Sequence, residues 1–219
     1  AKQDCTKEKI LAYQRQRDLE LVKQNGFASS HYLQSWMDTV EHIHKTYGLI
    51  SKNKAIQMVS DAVDDLFRRK FNNAPGCIEV LEHLKYEAGY SMIVLTAGEQ
   101  NIQLRRIREA GISEYMDKVY VYPWKDPKVL REVIFDFTQG TFAGPLFMIG
   151  NSLRSDIYPA IQNRMGAIHV LTNTWEIDHM DIDLDYPFYF SVENLRKIPL
   201  ILESVSSLKE IPSLQNCCA

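Results

Sequence analysis

The chain has 219 residues, with 25 Lys and Arg against 28 Asp and Glu, a net charge of −3, and 45% hydrophobic residues. That apolar fraction supports a sizeable core and excludes a disordered polymer, while the charge balance offers no bulk attraction for nucleic acid or an anionic membrane surface. No apolar run is long enough to span a bilayer, and the opening AKQDCTKEK lacks the apolar segment of a signal peptide.

A cytoplasmic protein is therefore expected. The cysteines agree: Cys5, Cys77, Cys217 and Cys218 have neither zinc-site spacing nor the density of a disulfide scaffold, and read as reduced thiols.

In chain order, the first half is helical. Ile10, Leu11, Leu19, Leu21 and Val22 suggest a helix that ends at Asn25-Gly26. Ser29 or Ser30 can cap a second, carrying Leu33, Trp36, Met37, Val40 and Ile43 and stopped at Gly48. Ser51 can cap a third, with Ile56, Val59, Val63, Leu66 and Phe67 on its apolar face. Residues 1–73 are thus expected to form a small all-helical unit.

Ala74-Pro75-Gly76 breaks that pattern, and residues 74–219 alternate helix and strand. Helices are expected at about 78–88, 100–110, 127–137, 156–163 and 193–202. Strands are expected at 91–96, 118–122, 146–149, 167–170 and 188–191. Strands that are apolar throughout and alternate with helices indicate a parallel α/β sheet covered on both faces.

Three of these strands run into polar residues, at the edge where such sheets bind ligands. The first gives Thr96-Ala97-Gly98-Glu99, a hydroxyl followed by a small-residue turn whose backbone N–H groups can face an anion. The second leads to Trp124-Lys125-Asp126-Pro127-Lys128, where a lysine above the sheet can neutralise charge on a transferring phosphoryl group. The third runs through Gly150 to Asn151, with Asp156 five residues on. It places two oxygen donors on one loop, as a hard cation requires. Each alone has an ordinary alternative: a cap at Thr96, a solvated lysine, and an Asx turn at Asn151 with a helix cap at Asp156.

Taken together and in this order, the three motifs resemble the second, third and fourth motifs of the haloacid dehalogenase superfamily of hydrolases. The resemblance rests on APGCIEVLEHLKYEAGYSMIVLTAGE, YPWKDPKVLREVI and FMIGNSLRSDIYPAIQNRMGAIHV, and it selects Lys125 over Lys128. It implies a Rossmann-like core under a helical cap, and a Mg2+-dependent phosphatase of small phosphorylated metabolites working through an aspartyl-phosphate. Thr96 and Lys125 would be catalytic, Thr96, Ala97, Gly98 and Lys125 would hold the phosphate, and Asn151 and Asp156 would hold Mg2+. A haloacid dehalogenase is a further possibility, though Asp156 with Lys125 favours phosphate.

One part of the family pattern is not matched. The resemblance implies a central strand ending Asp-x-Asp-x-Thr, and its nearest echo is Lys2-Gln3-Asp4-Cys5-Thr6, with lysine where the nucleophile belongs. The 219 residues are expected to be a truncation of a working enzyme, or a degenerate, inactive relative that binds a phosphorylated ligand or a protein, or a chain that receives the strand from a partner. Without that strand a gap with unpaired backbone groups is expected in the sheet, unless a degenerate relative closes it another way or a partner fills it. The alternating acids from Asp178 to Asp185 lack the glycine and glutamate of a calcium loop and read as a solvated loop. Thr174-Trp175 reads as a structural lid. His42, His44, His83 and His169 have no metal-ligand spacing.

Overall fold

A computed structural model describes residues 4–48, 51–141, 144–172 and 180–206. Helix α1 (Lys7–Asn25) begins at Thr6, whose hydroxyl accepts from the Lys9 amide at 3.4 Å. The echo of the first motif is therefore the lead-in to a helix: Thr6 is its cap, and the Asp4 carbonyl accepts from Lys9 Nζ at 3.1 Å. Lys2 and Gln3 lie outside the described residues. Helix α1 ends at Gly26, with φ of 82°, and a Cβ there would come within 3.1 Å of Pro123, so only glycine makes this turn against the loop.

Helix α2 (Ser29–Tyr47) differs from expectation at its start. Ala28 occupies the cap position, and Ser29 is already helical, because a distant carboxylate, that of Glu99, takes its N–H and its hydroxyl. Helix α3 (Lys52–Arg68) follows Ser51 as expected, although no Ser51 side-chain cap bond forms.

Leu21, Val22, Val40, Ile43 and Val63 are buried among these helices. The α1–α2 contact is also polar. Gln14 Nε2 donates to Ser35 Oγ at 3.0 Å, Ser35 Oγ donates to the Tyr32 carbonyl at 2.7 Å, and Thr39 Oγ1 donates to the Ser35 carbonyl at 2.7 Å. Small hydroxyl residues let the two helices approach closely while satisfying their own donors.

Asp18 is the exception. It is only 2% exposed, and its Oδ1 has no hydrogen-bond partner among the described residues. Burial pushes its carboxyl from 3.8 up to about 6, offset in part by the nearby His31. A folded-state value above the unfolded one means that the folded state holds the proton more tightly. Stability is then full below about 3.8 and falls as pH rises through about 6. Asp18→Asn is expected to flatten that dependence and to raise stability at pH 7 by roughly 2–3 kcal/mol. Urea titrations at pH 4 and pH 7 would check it, and an equal pH dependence in both proteins would refute it.

From Gly76 the chain enters the α/β part. Helix α4 (Cys77–Glu82) continues into a π-helical turn over His83–Glu87, so the helix expected at 78–88 is present but wound wider at its end. Strand β1 (Ile93–Ala97), α5 (Gln100–Glu109), β2 (Lys118–Tyr122) and α6 (Pro127–Thr138) follow. Asp126 caps α6 by accepting from the Val129 amide at 2.8 Å, with Pro127 in the first turn. Strand β3 (Phe147–Gly150) leads into a π-helical turn (Leu153–Ile157) and α7 (Tyr158–Gln162). Strands β4 (Gly166–Val170) and β5 (Tyr189–Val192) and helix α8 (Ile198–Ser206) complete the described chain.

All strand pairs are parallel, but they form two ladders. One is β1–β2, with Thr96 opposite Val121. The other is β3–β4–β5, with Gly150 opposite His169. Among the described strands β1 pairs with β2 alone and β3 with β4 alone. Among the described residues the single continuous sheet suggested by strand alternation is thus divided into two ladders. The apolar Ile149 of β3 stands 39% exposed.

Helices nevertheless cover both faces. Val80, Leu84, Ile198 and Leu202 pack with Ile168 on one side, and Met92 joins them. Leu130, Ile134, Ile157 and Ala160 pack with Ala167 on the other, and Leu95 joins them. Ile168 and Ala167 are neighbours in β4, so the alternation of a strand sends one to each layer. The result is a mixed α/β fold of parallel strands between helices, as the sequence predicts. No helix among the described residues is long and apolar enough to cross a membrane.

Candidate functional site

The loop after β1 is held by its own backbone. The Gly98 amide donates to the Tyr122 carbonyl at 2.8 Å, which ties the Thr96-Ala97-Gly98 turn to the end of β2. Thr96 Oγ1 donates to Gln103 Oε1 of α5 at 3.3 Å. Nothing in the sequence distinguishes Gln103, since a glutamine one turn into a helix carries no signal of its own.

Lys125 follows β2 and crosses to the other ladder. Its Nζ pairs with Asp156 Oδ1, and the two side chains are 15% and 5% exposed. The second carboxylate oxygen, Oδ2, accepts from the Ser152 amide at 3.0 Å. Asp156 does not cap a helix, as its alternative reading supposed. It lies inside the π-helical turn, whose cap is Ser152, the hydroxyl accepting from the Ser155 amide at 2.9 Å. The signal was present in Ser152-Leu153-Arg154-Ser155-Asp156, a hydroxyl residue shortly before an acid at a helix start.

Asn151 is exposed and turned towards the end of β4. Its Nδ2 donates to Thr172 Oγ1 at 3.3 Å. The Asn151 carbonyl lies 3.2 Å from His169 Nε2, and His169 Nδ1 lies 3.1 Å from the Tyr189 hydroxyl. With Nε2 as donor the ring is fully used: the Tyr189 hydroxyl donates to Nδ1. His169 therefore braces the loop. The structure brings Lys125 and Asp156 into contact, while Thr96 and Asn151 are each held by a neighbour on their own side.

Oxygen donors at Asn151 and Asp156 suit a hard cation such as Mg2+, which needs few protein ligands because it retains water. Each Asp156 oxygen accepts one of these bonds and keeps a lone pair, and the Asn151 oxygen remains available when its Nδ2 donates. Among the described residues no group of three or more His, Cys, Asp and Glu is placed to hold a metal. In the acidic run, Asp183 Oδ1 accepts from the Asp185 amide at 2.9 Å, a local turn, while Asp178, Thr174 and Trp175 lie outside the described residues. Cys5 and Cys77 carry free thiols, and burial raises the Cys77 thiol; Cys217 and Cys218 lie outside the described residues.

A groove of about 550 Å³ between α1 and α2, lined in part by Tyr13, Arg17, Asp38 and His42, shares no lining residue with these loops. Its Arg17 pairs with Asp38 at 2.6 Å and with Glu20 at 3.0 Å.

Residues 8–165 match the family model of haloacid dehalogenase-like hydrolases. The chain belongs to that family. No curated protein sequence matches it. Among solved structures, a haloacid dehalogenase-like family hydrolase from Xanthomonas campestris superposes with a TM-score of 0.68 at 18% identity, over 91% of this chain and 90% of that one. L-2-haloacid dehalogenase from Xanthobacter autotrophicus gives 0.57 at 14% identity, over 90% and 86%. A phosphatase of the family from Thermococcus onnurineus gives 0.52 at 19% identity, over 88% and 89%. The family's neighbours of this fold thus include both phosphatases and dehalogenases, and these likenesses establish the fold.

Proposed function

We propose that this hydrolase is a Mg2+-dependent phosphatase of small phosphorylated metabolites, with residues 1–73 acting as a helical cap over the α/β core of residues 74–219. The observation that carries this reading is the buried Lys125–Asp156 pair, at the loops where β2 and β3 end. A dehalogenase of this family needs no cation, whereas a buried carboxylate braced by an amide and a lysine suits a site shared by a metal and a phosphate.

In this reading Lys125 supplies positive charge to the phosphoryl oxygens. Thr96 Oγ1 and the Ala97 amide would hold those oxygens; the Gly98 amide, expected from the sequence to join them, is instead engaged by the Tyr122 carbonyl. Asp156 and Asn151 would hold Mg2+, which neutralises phosphate charge when bound. The aspartyl-phosphate route implied by the family needs a carboxylate on a strand between β1 and β3, a place that no described strand fills. A second reading, in which Lys125 and Asp156 serve each other and hold an anion without turnover, is a non-catalytic relative that binds a phosphorylated ligand or a protein.

The protein encoded by the whole reading frame is expected to hydrolyse a general phosphate ester with Mg2+. Chelation should abolish turnover, and Lys125→Met should lower it by about a hundredfold or more. Thermal stabilisation by inorganic phosphate without turnover would replace this reading with the non-catalytic one. Halide release from a 2-haloacid, insensitive to chelation, would replace it with a dehalogenase.

A further inference from the structure

The link between α1 and α2 sits on both loops of the candidate phosphate site. On the β2 side, the Phe27 amide donates to the Pro123 carbonyl at 3.4 Å, and the Phe27 ring meets Trp124 edge-on at 5.1 Å, one residue before Lys125. On the β1 side, Glu99 Oε1 accepts the Ser29 N–H and, at 2.6 Å, the Ser29 hydroxyl. Ala28, the residue at the cap position of α2, makes no side-chain cap bond. The cap of this 19-residue helix is thus supplied from 70 residues away in the chain, by the residue that directly follows Thr96-Ala97-Gly98.

We propose that Glu99 is a positioning residue that docks the helical segment onto the site and makes that docking responsive to an anion at Thr96–Gly98. The inference rests on the phosphate-binding reading of that turn. The physical reason is charge. Docked, the Glu99 carboxylate is offset by two donors and by the positive end of the α2 dipole. Undocked, it stands uncompensated beside the turn and repels an incoming phosphate. An anion therefore binds the docked arrangement more tightly, and by reciprocity its binding strengthens docking.

Amide hydrogen exchange of the full chain tests this with inorganic phosphate as the probe. Without phosphate, Glu99→Ala should speed exchange across Phe27–Tyr32 by about five-fold, the equivalent of one helix cap, while Lys128→Ala at the surface should not. Phosphate should slow exchange across Phe27–Tyr32 in the unaltered protein. Glu99→Gln keeps an acceptor but no charge, so it should retain most of the cap yet lose that phosphate response. A purely structural contact would leave the response intact in Glu99→Gln, which would overturn the coupling. Unchanged exchange in Glu99→Ala would overturn the docking role. Failure of phosphate to protect the Ala97–Glu99 amides would overturn the coupling together with the phosphate-site reading, and the phosphate-free comparison would still decide the docking role.

Discussion

Lys125→Met is expected to destabilise the protein by about 3–5 kcal/mol, an effect far larger than that of an exposed charge. The Asp156 side chain is 5% exposed and its Oδ1 pairs with Lys125. Removing the lysine leaves a carboxylate that is buried from water and, among the described residues, keeps the Ser152 amide as its donor. Most of the cost is that stranded charge rather than the attraction itself. Lys125→Met combined with Asp156→Leu should therefore recover most of the lost stability, since a buried pair exchanged for apolar groups of similar size is close to neutral. Urea unfolding of both single variants and of the double variant gives the cycle, and a double variant no more stable than Lys125→Met would refute this account.

Gly150→Ala is expected to be the second severe substitution. A Cβ at Gly150 would overlap Cβ, Cγ and Oδ2 of Asp156, so either the end of β3 or the carboxylate must move. Overpacking of this kind costs about 1–3 kcal/mol, and here it also displaces the oxygen that accepts from Ser152. Stability and any Mg2+-dependent activity should fall together. Gly48→Ala is a useful contrast. A Cβ there meets nothing within 4 Å, and the cost is only that of a left-handed backbone, φ 64°, roughly 1 kcal/mol. Thermal unfolding of the two variants compares them directly, and equal losses would show that the close approach to Asp156 is unimportant.

What could be seen in the sequence follows from how local its causes are. Uniformly apolar strands such as Phe147–Ile149, alternating with helices, announce a covered parallel sheet because burial on both faces leaves no polar positions. Lys125 and Lys128 are indistinguishable by composition, and the family resemblance separated them. In the structure Lys128 is exposed, with Glu132 at 3.8 Å, while Lys125 turns inward. The union of Lys125 with Asp156 was not legible, because it joins residues 31 positions apart across two ladders. Nor was the start of α2: Ser29 reads as a local cap, but a carboxylate 70 residues away took its donors. The π-helical turns at His83–Glu87 and Leu153–Ile157 escaped for another reason. One extra residue per turn leaves almost no trace in a pattern of 3.6 residues.

The division between β1–β2 and β3–β4–β5 has a consequence for how the candidate site is held together. Among the described residues no ladder bond joins the two, so the parts are held by the Lys125–Asp156 clasp and by shared helical layers such as the one that includes Leu95. Each described ladder is hydrogen-bonded within itself, and the strands leading to Thr96 and Asp156 belong to different ladders. The candidate site is therefore assembled by side chains that meet across a seam between two ladders, so its geometry depends on the Lys125–Asp156 pair and not on a shared backbone ladder.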